Sequence, residues 1–215
     1  MYTLIVFAKL PILGEVKTRI AKQSTDAFAL NLYEHLLNAC LLQAQLASQE
    51  FTRLTGLVSQ VHWHYSGSLE LCAAKKNSVI QSFLNRPELM FLQYQSPDLG
   101  ERMVNSLRAY DGPCVLMGSD IPSLDSERLV KALLAVEKAP SSIVFNPTRD
   151  GGYCLVGRGH PSSMNDQIFT DIAWSTPNVM QQTRMKFLSL NARWKELEPL
   201  SDIDDIEQAE RYLTR

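Results

Sequence analysis

Two short, uninterrupted apolar runs constrain the fold more than any other feature: residues 2–8, YTLIVFA, and residues 114–118, CVLMG. A strand with one wet face alternates polar and apolar side chains. A run that is apolar throughout is buried on both faces, as in a parallel sheet sandwiched between helices. The intervening segments fit that arrangement. Ala29, Leu32 or Tyr33, Leu36, Cys40 and Gln43–Ala44 recur at helical spacing and predict an amphipathic helix over 26–47. Val61, Trp63 and Tyr65 share one side of a strand over 57–65, and further strands are expected at 89–94, 142–145, 153–156 and 190–197. Helices are expected at 69–84 and 100–110, at a segment capped by Asp125 or Ser126 and running to 138, at Thr176-Pro177, and after Asp204. Alternating strands and helices give an α/β chain with a mostly parallel sheet, and no repeat or Gly/Ser-rich linker divides residues 1–215, so one domain is expected.

Composition narrows the function classes. The 215 residues are 45% hydrophobic and 20% charged, the usage of a globular chain rather than a disordered one. Formal net charge is −2 without a basic stripe, which argues against a nucleic-acid partner, since such partners are gripped through phosphate neutralisation. The first apolar run has no charged segment before it and is too short for a signal peptide or membrane span, so a cytoplasmic protein without membrane insertion is expected, as monomer or homodimer. Cys40, Cys72, Cys114 and Cys154 are widely spaced with no Cys-x-x-Cys pair, the pattern of reduced packing cysteines. His62 and His64 share a strand face, but no third ligand of matching type lies near, so they are read as structural.

In sheets of this kind ligands bind beyond the carboxyl ends of the strands, so the loops there carry the chemistry. The first holds Lys9, Gly14, Lys17 and Arg19; glycine permits close backbone approach, and the cations suit a diphosphate. It matches neither a P-loop nor a dinucleotide fingerprint. Asp120 follows the second apolar run directly, where a carboxylate can hold Mg²⁺ or Mn²⁺ against phosphate oxygens; capping falls to Asp125 and Ser126. Asp150 precedes Gly151 and Gly152, which suits a metal-shell or acceptor-binding carboxylate, a general base, or equally a hairpin turn. Asp202 and Asp204 alternate before the last helix, as a second metal contribution, as caps, or as both.

The stretches FAKLPILGEVKTR, DLGERM, VLMGSDIPSL, DGGYCLVG, WSTP and SDIDDIEQAE, in that order, resemble a bacterial family of GT-A-fold, nucleotide-diphospho-sugar transferase-like proteins. That family was long catalogued as a domain of unknown function and is in part assigned as glycosyltransferases of arsenosugar biosynthesis. More distantly it resembles guanylyltransferases of molybdenum cofactor and phospholactate metabolism. The resemblance implies a three-layer GT-A fold, with Lys17 and Arg19 on phosphates and Asp120 on the metal. It places Asp98, Gly100, Glu101 and Arg102 near the nucleotide. It sets Asp150, Gly151, Gly152, Trp174 and Ser175 toward the acceptor, with Asp202 or Asp204 behind the metal. Leu10, Leu13 and the short segment Gln95-Ser96-Pro97-Asp98 depart from the family pattern. The activity implied is metal-dependent glycosyl transfer from a nucleoside diphosphate sugar to a small-molecule acceptor, with Asp150 as the expected base. The alternatives are nucleotidyl transfer from a nucleoside triphosphate to a phosphorylated acceptor, and a non-catalytic nucleotide-binding protein.

Overall fold

The computed structural model describes residues 1–72, 78–203 and 205–214. Its centre is a seven-stranded sheet of β1 (Tyr2–Lys9), β2 (Ser59–Ser66), β3 (Met90–Leu92), β4 (Cys114–Met117), β5 (Ile143–Pro147), β6 (Tyr153–Arg158) and β7 (Trp194–Glu196), in the order β3-β2-β1-β4-β6-β5-β7. The pairings β1–β2, β2–β3, β1–β4 and β5–β7 are parallel, while β6 runs antiparallel to both β4 and β5. The expected mostly parallel sheet is therefore present, with one reversed strand at the β5–β6 hairpin.

The two apolar runs are buried on both faces, as their composition requires. Leu4, Val6, Val115 and Met117 enter one core, shared with α2 (Asp26–Thr55), α3 (Val79–Leu84) and α5 (Ser126–Lys138). Ile5, Cys114 and Leu116 enter the other, shared with α4 (Leu99–Arg108) and α6 (Val179–Ser189). A third cluster joins Ile20 of α1 (Thr18–Ala21), Leu32 and Leu36 of α2, and Ile203 and Ala209, the latter in α7 (Ile206–Leu213). At roughly 1.5–3 kcal/mol for each large apolar side chain fully removed from water, these layers supply the main drive to fold. Trp63, fully buried, also donates its indole N–H to the Ala8 carbonyl at 3.1 Å, which ties β2 to the working end of β1.

Element ends shifted where local chemistry decided them. The helix expected over 26–47 runs to Thr55, because Phe51 adds a further buried position and Gly56, at φ +73°, provides the left-handed stop. The stretch 69–84 is not one helix: a 3₁₀ turn at Leu69–Leu71 precedes α3, which Ser78 caps, and residues 73–77 lie outside the described residues. α6 starts at Val179 rather than at Thr176-Pro177; the Thr176 hydroxyl donates to Ala173 O at 2.7 Å and accepts from Asn178 N–H at 3.4 Å. Asp125 caps α5 as expected, accepting from Arg128 N at 2.9 Å.

His62 and His64 are buried among packed side chains. Their Nδ1 and Nε2 atoms meet the Tyr110 hydroxyl at 2.6 and 2.7 Å, and His64 Nδ1 lies 2.9 Å from Ser106 Oγ. Phe91 covers both rings. Cys40, Cys114 and Cys154 are buried free thiols, and Cys72 is partly exposed. Among the described residues no helix is long and apolar enough to cross a membrane.

Candidate functional site

From β1 the chain turns one way to β2 and β3, and β4 opens the other half of the sheet. The loops leaving β1 and β4 therefore diverge, and the space between them is where such a sheet receives ligands. A cleft of about 800 Å³ lies there.

The loop after β1 is pinned by Leu10, Ile12 and Val16, all buried, so its polar residues are held in place. Lys9, Lys17 and Arg19 line the cleft. Lys9 Nζ donates to Glu15 O at 3.0 Å, closing the loop on itself. Gly14, at φ +79°, makes the turn but does not line the cleft. Lys17 sits in the left-handed region at φ +46°, a conformation costing a non-glycine residue on the order of 1–3 kcal/mol that persists where surroundings enforce it. Here the enforcement is visible. Lys17 Nζ lies 3.3 Å from Asp120 Oδ2 and donates to Ile203 O at 2.8 Å, and its side chain is only 8% exposed.

Asp120 stands where β4 delivers it. The strand end is fixed by Gly118 N–H donating to Cys154 O at 2.9 Å, and Ile203 N–H donates to Asp120 O at 3.3 Å. That last bond brings the segment carrying Asp202 to the cleft, which Asp202 also lines. Asp120 Oδ1 is buried without a hydrogen-bond partner among the described residues, an arrangement that costs free energy unless something else fills it. Among the described residues no group of three His, Cys, Asp or Glu is arranged to hold a metal ion. Asp204 lies outside the described residues. The donors present fit a cation held by one or two carboxylates and completed by phosphate oxygens and water, the usual habit of Mg²⁺, rather than an all-protein cage.

The third loop is both a hairpin turn and a cleft wall. Thr148 N–H donates to Gly152 O at 3.0 Å, Gly151 N–H to Thr148 O at 3.1 Å, and Asp150 Oδ1 accepts from Gly152 N–H at 3.2 Å. Asp150 and Gly152 line the cleft beside Trp174 and Ser175. Gly151 does not line it but docks those residues. At φ +94°, a Cβ on it would lie 2.0 Å from Pro177 O, and its own carbonyl accepts from Met180 N–H at 2.8 Å. Trp174 Nε1 is buried without a partner among the described residues, and its ring stands edge-on to Tyr153, 6.3 Å between centroids.

The start of α4 reaches the cleft through Leu99 and Met103; Asp98, Gly100, Glu101 and Arg102 do not line it. Asp98 caps the helix, accepting from Glu101 N–H at 2.8 Å, and Glu101 Oε2 accepts from Ser96 Oγ at 2.6 Å. Gly100 permits packing, since a Cβ would lie 2.4 Å from Phe169 O and 2.9 Å from the Trp174 ring. Arg102 bonds Gln93 Oε1 and sits 5.4 Å above the Phe7 ring. Tyr33 and Cys154 are among the cleft residues that the sequence reading did not name as site residues. Tyr33 donates its hydroxyl to Lys9 O at 2.9 Å, and burial, then the Asp120 carboxylate, hold its phenol above the usual range. Its only signal was a hydroxylated residue at a helix core position. Cys154 also lines the cleft; burial foremost, with Asp202 and Asp150 adding, pushes its thiol up to about 12, so it remains protonated.

The family model described as "Uncharacterized protein conserved in bacteria (DUF2064)" matches residues 57–176. Among solved structures, a "putative nucleotide-diphospho-sugar transferase" from Desulfovibrio desulfuricans is 29% identical with a TM-score of 0.75, covering 95% of this chain and 82% of that one. The CMP:2-keto-3-deoxy-manno-octonic acid synthetase complexed with CTP has a TM-score of 0.55 at 8% identity, covering 99% and 97%. The 4-diphosphocytidyl-2C-methyl-D-erythritol synthase of Anaerococcus prevotii has a TM-score of 0.53 at 13% identity, covering 100% and 99%. The last two are likenesses of fold. Among curated proteins none matches the chain.

Proposed function

The chain belongs to the DUF2064 family, and on that premise we propose that it is a transferase moving a glycosyl unit from a nucleoside diphosphate sugar to a small-molecule acceptor, with Mg²⁺ or Mn²⁺ at Asp120. One observation carries the reading: Asp120, a carboxylate with a buried oxygen that has no partner among the described residues, stands against a lysine from the opposite loop at the sheet's switch point. The 29% identical structure described as a nucleotide-diphospho-sugar transferase supports the substrate class.

In this reading Asp120, with Asp202 beside the cleft, holds the cation, which when bound neutralises charge on the diphosphate. Lys17 and Arg19 place further positive charge at the leaving group, where charge grows most in the transition state. Asp150, with one oxygen fixed by Gly152 N–H, takes the acceptor hydroxyl's proton. Phe7, Leu99, Met103 and Trp174 give the cleft an apolar wall that limits water near the reacting bond.

The test is thermal stability of the protein with Mn²⁺ and a panel of nucleosides, nucleoside diphosphates, triphosphates and diphosphate sugars. A ligand that binds the folded state raises the melting point. Diphosphates and their sugars are expected to raise it most. Preferential stabilisation by triphosphates would replace glycosyl transfer with nucleotidyl transfer, and no response to any nucleotide would overturn the reading.

A further inference from the structure

The contacts of Lys17 lead beyond phosphate binding. Its ammonium is nearly buried, 3.3 Å from Asp120 Oδ2, and is held there by a second bond to Ile203 O at 2.8 Å. Its backbone is strained into the left-handed region at the residue that puts the ammonium in that position. A phosphate-binding lysine needs neither the strain nor the Ile203 contact. Ile203 is in turn tied to Asp120 through its N–H. The ammonium is thus the built-in counter-ion of the carboxylate proposed to hold the metal.

We infer that Lys17 blocks Asp120 against a divalent cation until phosphate draws its ammonium away, so that cation and diphosphate enter the cleft together. A divalent ion arriving alone must share one carboxylate with a fixed positive charge 3.3 Å from it. A phosphate removes that obstacle by giving the ammonium a new partner and the cation further oxygen ligands. The coupling is reciprocal: whatever lysine subtracts from cation affinity in the empty cleft, diphosphate restores.

This rests on the reading of Asp120 as the carboxylate that holds the cation, and the test separates the two. Binding of Mn²⁺ alone, followed by electron paramagnetic resonance of the free ion without nucleotide, is compared in the parent, Lys17→Met, Lys17→Gln and Lys17→Gln/Asp120→Asn. Methionine fills the nearly buried space without charge. Glutamine keeps an N–H donor for Ile203 O, so agreement between the two isolates charge from loop anchoring. Melting curves establish that each variant is folded. The expected result is at least about ten-fold tighter Mn²⁺ binding in both single variants than in the parent, lost in the double variant. Equal Mn²⁺ binding in the parent and single variants, abolished in the double variant, overturns the role of Lys17 and leaves Asp120 as the cation ligand. Failure of every protein to retain Mn²⁺, or retention in the double variant, overturns the Asp120 reading and the inference with it.

Discussion

Lowering the pH should strike the pair of buried histidines. His64 is 3% exposed, shares the Tyr110 hydroxyl with His62, and faces Phe91 and Ser106. A single hydroxyl can donate to one ring and accept from the other, so two neutral imidazoles satisfy it, and a proton added to His64 places a charge where burial leaves it poorly solvated. Burial, and then neighbouring His62, move His64 from an ordinary 6.5 down to about 4. The native ring stays neutral where the unfolded one binds a proton. Its contribution is therefore complete above pH 6.5 and is lost progressively as pH falls toward 4. At 1.36 kcal/mol per pH unit, the interval amounts to roughly 3 kcal/mol, a large part of a domain's stability. Urea unfolding at pH 7, 6, 5 and 4 should show the parent losing about 3 kcal/mol more than His64→Gln, which has no proton to gain. Parallel curves for the two proteins, or an NMR titration placing His64 at or above 6.5, would refute the reasoning.

The cleft yields three further expectations. Arg19→Ala should weaken a nucleoside diphosphate by about 1.5–3 kcal/mol while leaving the bare nucleoside unaffected, measured by calorimetry; equal losses would return Arg19 to the solvated surface. Asp150→Asn should leave donor affinity intact and slow turnover about 10²–10⁴-fold, whereas a residue that merely shapes the turn would tolerate asparagine. Gly151→Ala should destabilise the protein by at least about 1–2 kcal/mol through its left-handed backbone and lower nucleotide affinity by displacing the segment at Trp174 and Ser175; an unchanged urea midpoint would contradict the docking geometry.

The sheet was legible because burial on both faces leaves an unbroken apolar run, and β1 and β4 carry that mark without ambiguity. Cleft loops followed, since a strand's carboxyl end is a place the chain order alone specifies. Lys9, Lys17, Arg19, Asp120, Asp150, Gly152, Trp174, Ser175 and Asp202 were expected at the site and line the cleft. What stayed hidden depends on neighbours distant in sequence. Gly100 and Gly151 invite a ligand reading, yet the space their missing Cβ atoms leave is taken by Phe169, Trp174 and Pro177. Tyr33 reads as one more apolar helix position until the fold sets its hydroxyl against Lys9 O. Nothing local in the sequence separates a cap from a nucleotide contact at Asp98, and it is the capping bond to Glu101 N–H that the folded chain makes.

The reversed strand has a consequence for how the chain must be made. β4 is flanked by β1, already synthesised, and by β6, whose residues Tyr153–Arg158 follow it by some forty positions. While the ribosome delivers that interval, β3, β2, β1 and β4 can assemble. Their outer border is then Cys114–Met117, four residues that are all buried in the finished protein. An apolar strand border without charge, proline or bulge is a template for pairing with another chain. The nascent half-sheet is thus at its most adhesive when Asp120 has emerged and the hairpin with Asp150 has not, so chaperone demand should peak in the same window in which the cleft acquires its second wall.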